Sequence, residues 1–274
     1  MSTKAAYTTG KVTHCSEIRP DIYSVKIEIP LVYGQESIPL PGQFYMLRSR
    51  PSQTLLARPI SVYQVSSEYI SEGQKFSSVE FLILQKGQGT QQLCGTRTGD
   101  LVDVTGPVGN VFPLPDTPKP VSVENPQIAI IGGGIGVAPV AGFATSLVSS
   151  SYDFYACFKN TSYGLEHLKA HKIFITTDDG SVGVKGMLPA VFTEKTIAEK
   201  GYTVVYACGP EPMLAYVQKV CETAGITCWL SMERRMACGV GACLGCTITT
   251  TEGNKRCCKD GPVFRGDILQ FGRQ

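Results

Sequence analysis

The sequence predicts a multidomain β plus α/β protein: an antiparallel β-barrel, a parallel-sheet α/β domain, and a small cysteine-rich domain at the C-terminus. Three observations predict it. Short strands separated by glycine turns fill the first hundred residues. A continuous apolar run, Gln127-Ile128-Ala129-Ile130-Ile131, ends in glycines and opens an alternation of strands, polar turns and helix-like stretches. The stretch Glu233 to Phe264 carries Cys238, Cys243 and Cys246 in the spacing C-x4-C-x2-C, with a further thiol at Cys257 or Cys258.

The barrel comes first. Ile22 to Ile29 alternates apolar and polar residues with period two, as a half-buried strand does. Phe44 to Leu47, Ile60 to Tyr63, Val79 to Leu84 and Leu101 to Val104 follow, punctuated by Pro41-Gly42, Gly87, Gly89 and Gly99-Asp100. Ser66 to Ser78 reads as a lengthened polar hairpin. Two short motifs sit on these strands. In Arg58-Pro59-Ile60-Ser61 the proline fixes the backbone and the arginine offers a bidentate fork to a phosphate. In Lys86-Gly87-Gln88-Gly89-Thr90 the glycines lead into a helical run, Gln91-Gln92-Leu93, with Thr90 as the expected cap and free N–H groups suited to a pyrophosphate.

Phe112 to Asn125 has four prolines and no periodicity, which marks a domain boundary. The expected domains are 1–115, 124–230 and 231–274. Beyond the boundary, Gly132-Gly133-Gly134-Ile135-Gly136 lets the backbone approach a phosphate at a helix start, although it is not the G-x-G-x-x-G fingerprint. Strands are expected at 153–158, 173–177 and 203–207, with helices over Leu188–Lys200 and Glu211–Ala224. The strand ends carry Asp178-Asp179-Gly180 and Cys208-Gly209-Pro210, on the edge of a parallel sheet where ligands bind. The acidic turn at Asp178 would repel a phosphate on the 2′-oxygen of a bound ribose.

The 274 residues suffice for two domains or a little more. Only 18 % of them are charged, the net charge is +2 and there is no basic run, so nothing points to nucleic acid. Gln127 to Tyr152 carries no charge, but its three consecutive glycines and Pro139 make a poor membrane helix. The first residues lack an apolar segment, so no secretory leader is expected and the eleven cysteines are read as cytoplasmic thiols.

C-x4-C-x2-C plus one distant thiol is the plant-type spacing for a [2Fe–2S] cluster. Structural zinc sites usually join two close C-x2-C pairs, a pattern absent here. Gly239, Gly241, Ala242 and Gly245 let the backbone wrap the metal core. The remaining cysteines are expected as buried small hydrophobes.

Taken in order, Arg58-Pro59-Ile60-Ser61, Gly89-Thr90 and Gly106-Pro107-Val108-Gly109-Asn110 resemble the flavin domain of the ferredoxin–NADP reductase superfamily. Cys208-Gly209-Pro210 resembles the nucleotide motif of the same superfamily. With MACGVGACLGC and CKDGPVF added, the chain from about Lys11 to Phe264 resembles the electron-transfer subunits of class B dihydroorotate dehydrogenase. The resemblance implies a flavin-binding barrel, a nucleotide domain and a [2Fe–2S] domain. It places FAD at Arg58, Pro59, Ile60 and Ser61, along Leu82-Ile83-Leu84, and at Gly89 and Thr90. NAD falls at Gly132, Gly133, Gly134, Ile135, Gly136, Asp178, Cys208, Gly209 and Pro210. The cluster falls on Cys238, Cys243, Cys246 and, because it precedes the Asp-Gly-Pro turn, Cys258. The flavin-stacking tail aromatic of plant-type reductases has no counterpart.

The implied activity is an electron relay. A separate FMN-containing subunit oxidises dihydroorotate for pyrimidine biosynthesis, and electrons pass through the [2Fe–2S] cluster and FAD to NAD+. The implied assembly has two copies of each subunit. No residue is expected as an acid or base for dihydroorotate, and the partner is expected to dock round Met236 to Leu244. The nearest alternatives are the flavin and iron–sulfur subunit of an NADH-dependent ferredoxin–NADP reductase or a sulfhydrogenase. A redox sensor or zinc-held binding module is the alternative of a different class.

Overall fold

The computed structural model describes residues 5–31, 38–71, 73–115 and 127–272. Strands β1 (Ala6–Arg19), β2 (Ile22–Pro30), β3 (Phe44–Arg50), β4 (Arg58–Ser61), β5 (Gln64–Ser71) and β6 (Gln74–Leu84) come first. Helix α1 (Gln88–Cys94) and β7 (Leu101–Val108) complete the unit. The strands form one antiparallel sheet in the order β4-β3-β7-β1-β2-β6-β5. Its edge strands β4 and β5 are joined by only Val62 and Tyr63, and Tyr63 N–H donates to Glu80 O on β6 at 3.0 Å. The sheet therefore curls back on itself round a core that includes Val12, Ile27, Leu47, Phe81 and Val104.

Several local expectations change. Strand β1, fourteen residues long, carries no clean alternation and was not foreseen as a strand. Strand β4 begins two residues before Ile60 and stops at Ser61. Val62 N–H bonds instead to Gln43 O at 3.1 Å. The polar hairpin is present as β5 and β6. Thr90 is not the cap of α1. Gly87 caps the helix, and Thr90 lies one turn in, its Oγ1 accepting from Gly87 N–H at 3.1 Å and Lys86 N–H at 2.9 Å.

The α/β unit contains β8 (Ile128–Gly133), a 3-10 turn over Gly134–Gly136, α2 (Val137–Ala144), β9 (Tyr152–Phe158), β10 (Lys172–Thr177) and β11 (Val184–Lys185). Then come α3 (Glu194–Lys200), β12 (Val204–Cys208), α4 (Glu211–Ala224) and β13 (Thr227–Ser231). The helix expected over Leu188–Lys200 is broken. A 3-10 turn at Leu188–Ala190 precedes Thr193, whose side chain accepts from Thr196 N–H and starts α3 afresh. Phe112, where the expected linker begins, is buried against Phe143 and Tyr206 at ring centroid distances of 5.1 and 6.1 Å. Residues 116–125 of that linker lie outside the described residues.

The C-terminal segment holds the hairpin β14 (Thr247–Thr250) and β15 (Gly253–Arg256), then β16 (Val263–Arg265). The second large sheet runs β11-β10-β9-β8-β12-β13-β16, parallel except for β16, which pairs antiparallel with β13. The cysteine-rich segment thus contributes an edge strand to the nucleotide-domain sheet. Among the described residues no helix is long and apolar enough to cross a membrane. All eleven cysteines are unpaired. Cys94, Cys221, Cys228 and Cys257 are buried, whereas Cys15, Cys157 and Cys208 are only half-buried.

Candidate cofactor sites

In the parallel sheet the strand order reverses at β8. Strands β9, β10 and β11 lie on one side of it, β12 and β13 on the other. The crevice at such a reversal, at the carboxyl ends of the strands, is where open α/β sheets bind ligands. Gly132 on β8 is the register partner of Cys208 on β12, and Gly133 that of Cys157 on β9. The Gly132–Gly136 and Cys208–Pro210 turns therefore leave the sheet side by side.

Their glycines are needed for contact with each other. A Cβ on Gly136 would stand 2.6 Å from Cys208 O, and one on Gly209 would stand 3.0 Å from Gly133 Cα. Gly134 differs: its φ is +54° and a Cβ there would meet nothing within 4 Å. It is the point of the turn open to a ligand backbone. Cys208 lies beside Ser231, and burial pushes its thiol up to about 12 despite the hydrogen bond from that side chain. The thiol is thereby kept neutral. Asp178 and Asp179 are exposed at the end of β10, where Asp179 accepts from Ser181 N–H at 2.9 Å.

On the barrel, the two weak motifs come together. The Arg58 guanidinium lies across Gly89, where an added Cβ would come within 2.5 Å of Nε. Arg58 is held in place by donating from Nη1 to Leu56 O at 2.9 Å. Positive charge and the start of α1 thus converge, as an anionic pyrophosphate requires. Along β6, Leu82 packs toward Gly164 and Val137 of the α/β unit, Ile83 points into the barrel core, and Leu84 is exposed. The Gly134–Gly136 turn lies against this strand. The expected flavin and nucleotide segments are therefore neighbours.

The thiols gather in two pairs. Cys243 N–H points at Cys238 Sγ over 3.5 Å, and the Cys246 and Cys258 side chains are hydrogen-bonded to each other. Burial raises Cys238, but N–H groups of Cys243, Val240 and Ala242 outweigh it and bring the thiol down to about 6. Cys258 also receives the Gly241 N–H and feels Cys238. Among the described residues no three metal-ligating side chains close on one ion. Two pairs suit a [2Fe–2S] core, whose tetrahedral irons share two sulfides and take two thiolates each. Cys257 is different. It is wholly buried, and its N–H donates to Cys246 O at 3.1 Å.

The sequence offered no signal for how this loop is seated. Gly239, at φ +69°, packs directly on Met46 of β3. Met46 is the register partner of Pro59 in the Arg58–Ser61 motif. Arg256 ties the loop to the turn after Cys258, donating to Asp260 Oδ2 at 3.1 Å and to Gly241 O at 3.2 Å. Asn110, which the sequence marks only as the end of the Gly106–Asn110 segment, grips Val263 on both sides: its Oδ1 accepts from Val263 N–H at 2.9 Å and its Nδ2 donates to Val263 O at 2.7 Å. Gly109 leaves room for Pro262, whose Cδ would be 2.6 Å from a Cβ there.

A family model described as the iron–sulfur cluster binding domain of dihydroorotate dehydrogenase B matches residues 233–270. Curated relatives named as the electron transfer subunit of dihydroorotate dehydrogenase B (NAD(+)) align along nearly the whole chain. The one from Clostridium acetobutylicum is 38 % identical, covering 97 % of this chain and 98 % of its own. The one from Clostridium perfringens is 35 % identical with the same coverage, and one from Streptococcus pneumoniae is 33 % identical over 94 % and 96 %. Among solved structures, an NADH-dependent reduced ferredoxin–NADP oxidoreductase superposes with a TM-score of 0.73 at 23 % identity, covering 96 % of this chain and 90 % of that one. The flavohaem-like FAD/NAD binding domain of a Vibrio cholerae nitric oxide dioxygenase superposes with a TM-score of 0.59 at 14 % identity, over 80 % and 93 %. The structural likenesses establish the ferredoxin-reductase type of fold, and the relatives establish the family: this chain belongs to the electron transfer subunits of NAD-dependent dihydroorotate dehydrogenase B.

Proposed function

We propose that this chain carries electrons from a partner subunit that oxidises dihydroorotate to NAD+, with FAD on the barrel, a [2Fe–2S] cluster on the cysteine loop and NAD at the switch point of the parallel sheet. One observation carries the reading: Gly239 of the cysteine loop rests on Met46, and Met46 is paired with Pro59 of the flavin motif. The cysteine loop is seated on the strand beside the flavin motif, and the nucleotide turn lies against β6 of the same barrel. The cluster exchanges one electron, nicotinamide a hydride, and flavin either, so the three together gather single electrons into a hydride.

The chain's own residues then have definite tasks. Arg58 neutralises phosphate over Gly89, while Pro59, Ile60 and Ser61 set the edge along which the ring lies, with Leu82, Ile83 and Leu84 alongside. Thr90 secures the start of α1 through its bonds to Lys86 and Gly87. The backbone from Gly132 to Gly136 and the turn Cys208-Gly209-Pro210 receive the dinucleotide, and Asp178 disfavours a 2′-phosphate. Cys238, Cys243, Cys246 and Cys258 hold the irons, and burial of Cys246 and Cys258 excludes water from that side. No side chain is assigned a catalytic proton transfer. The domain limits 1–115, 124–230 and 231–274 and a cytoplasmic location form part of the same reading.

The partner we infer is an FMN-containing dihydroorotate dehydrogenase subunit, two copies assembling with two of this chain. It docks round Met236 to Leu244. Support comes from Val240 and Leu244, which expose 46 % and 61 % of their surface beside the exposed Cys243. A cleft of about 230 Å3 at Ala237 of this loop is lined by Tyr7, Leu55 and Leu56 together with Arg48 and Asp103.

The test is to purify the chain with a dihydroorotate-oxidising flavoprotein. Flavin bands with added absorbance from roughly 400 to 600 nm are expected. Dihydroorotate-dependent formation of NADH is expected from the complex. A colourless chain that contains zinc, or a complex that makes no NADH, overturns the reading.

A further inference from the structure

Arg234 falls inside the Glu233 to Phe264 stretch but ahead of MACGVGACLGC, and the sequence assigns it no role. It follows β13 and precedes the cysteine loop. Its Nη1 donates to Glu211 Oε2 at 3.0 Å and to Glu233 O at 2.9 Å. The side chain is only 16 % exposed, and its Nε and Nη2 are buried with no hydrogen-bond partner. A guanidinium keeps its charge and all five donors in a protein. A buried charge with unmet donors calls for a negative acceptor close by.

The backbone brings Arg234 toward the turn that follows Cys258. Ser231 pairs with Val263 and Met232 N–H donates to Pro262 O at 2.8 Å, so the chain leading to Arg234 starts out beside the turn that follows Cys258. Met236 packs into the core shared by Cys246, Cys257 and Cys258. Cys257, which lies near this guanidinium, donates its N–H to Cys246 O at 3.1 Å. Arg256 also reaches Cys246 and Cys258, but its Nε and Nη2 are both taken by Asp260 and its Nη1 by Gly241 O, whereas Arg234 gives Glu211 only Nη1 and keeps Nε and Nη2 unmet. Glu211 opens α4 immediately after Cys208-Gly209-Pro210, so the Arg234–Glu211 pair spans from the nucleotide edge to the cysteine side.

We propose, on the reading that Cys238, Cys243, Cys246 and Cys258 hold a [2Fe–2S] cluster, that Arg234 is the buried positive charge that raises the reduction potential of this site, and that Glu211 offsets part of it. Reduction by one electron from an external donor such as dithionite adds one negative charge to the thiolate-bound irons and breaks no bond. A guanidinium close by favours the more negative state, and a carboxylate paired with it disfavours that state.

The test is an EPR-monitored redox titration of the iron-loaded full chain in wild-type, Arg234→Gln and Glu211→Gln forms. Arg234→Gln lowers the midpoint potential, cutting the reduced-to-oxidised ratio at fixed potential about tenfold, which is about 59 mV for one electron. Glu211→Gln moves it the opposite way by less. An ion pair with a purely structural role predicts shifts in the same direction, because each variant breaks the same pair. Parallel shifts, or none in loaded protein, overturn the assignment. If Arg234→Gln does not retain iron, Glu211→Gln decides: an upward shift supports the proposal, and no shift or a downward one sinks it. A wild-type chain with no [2Fe–2S] signal after reduction sinks the cluster reading itself, and the role of Arg234 with it.

Discussion

At the nucleotide edge, Gly133 and Gly209 stand backbone against backbone and Gly136 sits under Cys208. No charged side chain takes part in that contact. At the cysteine loop the backbone is instead held from outside, by Arg256 on Gly241 and Asp260, by Asn110 on Val263, and by Met46 under Gly239. The first region is fixed by exclusion of volume, the second by directional bonds and charge. Packing of the first kind is indifferent to acid and salt. The second kind is not, and it also permits an exposed loop with Leu244 at φ +61° to keep one shape round a metal core.

The largest effect expected separates the two cysteines at 257 and 258. Cys246→Ser and Cys258→Ser lose most bound iron and the visible absorbance, because each removes a thiolate from the Cys246–Cys258 pair. Cys257→Ser keeps its iron and loses only stability, by about 1–3 kcal/mol for a hydroxyl buried without a good partner. Iron per chain and thermal melting measure both. Iron lost from the Cys257 variant and kept in the Cys258 variant would exchange their roles.

The next effect tests exclusion of volume. Gly136→Ala puts a methyl against backbone that has nowhere to go, 2.6 Å from Cys208 O. It is expected to cost about 1–3 kcal/mol in urea unfolding. NAD binding falls and iron content stays. Gly134→Ala adds a methyl in open space and bears only the left-handed backbone penalty, about 1–2 kcal/mol. A Gly136 variant no worse than the Gly134 variant would mean that the interlock of the turns is not what shapes the edge.

The two regions also differ in how far they can be read from sequence. The nucleotide edge is legible because its parts are local: Ile128 to Ile131 is a continuous apolar run, and each turn lies at the end of its own strand. The cysteine spacing is equally local. What holds the loop is not. Asn110 bonds Val263 across more than half the chain, and Met46 of β3 meets Gly239 of the distant cysteine loop. No periodicity records such pairs. Strand β1 escaped for a related reason: its register shifts between Val12 and His14 and again between Glu17 and Arg19, so the alternation at Gly10, Lys11 and Val12 does not run on. The helix over 188–200 was overread because its composition is helical, while Thr193 with Thr196 makes a stronger local start.

Asn110 gives the sharper test of the directional side. Asn110→Ala leaves the N–H and carbonyl of Val263 without these partners. The expected cost is about 1–3 kcal/mol. Iron should leave faster on dilution into chelator, while NAD affinity is unchanged. Equal losses at both sites would show that Asn110 supports the whole molecule rather than the seat of the cysteine turn.

The smallest effect concerns the charges beneath the loop. Asp103 is nearly buried on β7, bonded by Arg48 at 2.7 Å, Arg50 at 2.9 Å and the Tyr7 hydroxyl at 3.0 Å, and it lines the same cleft as Ala237. Burial alone would raise its carboxyl, but donation from Arg48 and Tyr7 and the charges of Arg50 and Arg48 hold it below the ordinary 3.8. A carboxyl with a lower pKa in the fold than in the unfolded chain binds fewer protons when folded. Its stabilisation is therefore complete above 3.8 and is lost as the pH falls through the lower folded value. Asp103→Asn should lower the urea midpoint at pH 7, and the gap from wild type should narrow as the pH falls below 3.8. Salt should narrow it too, since Arg48 and Arg50 are 34 % and 48 % exposed and open to screening. The Gly136→Ala deficit, by contrast, should keep its size through both titrations. A deficit at Asp103 as steady as that one would mean that packing, not charge, holds the barrel face beneath the loop.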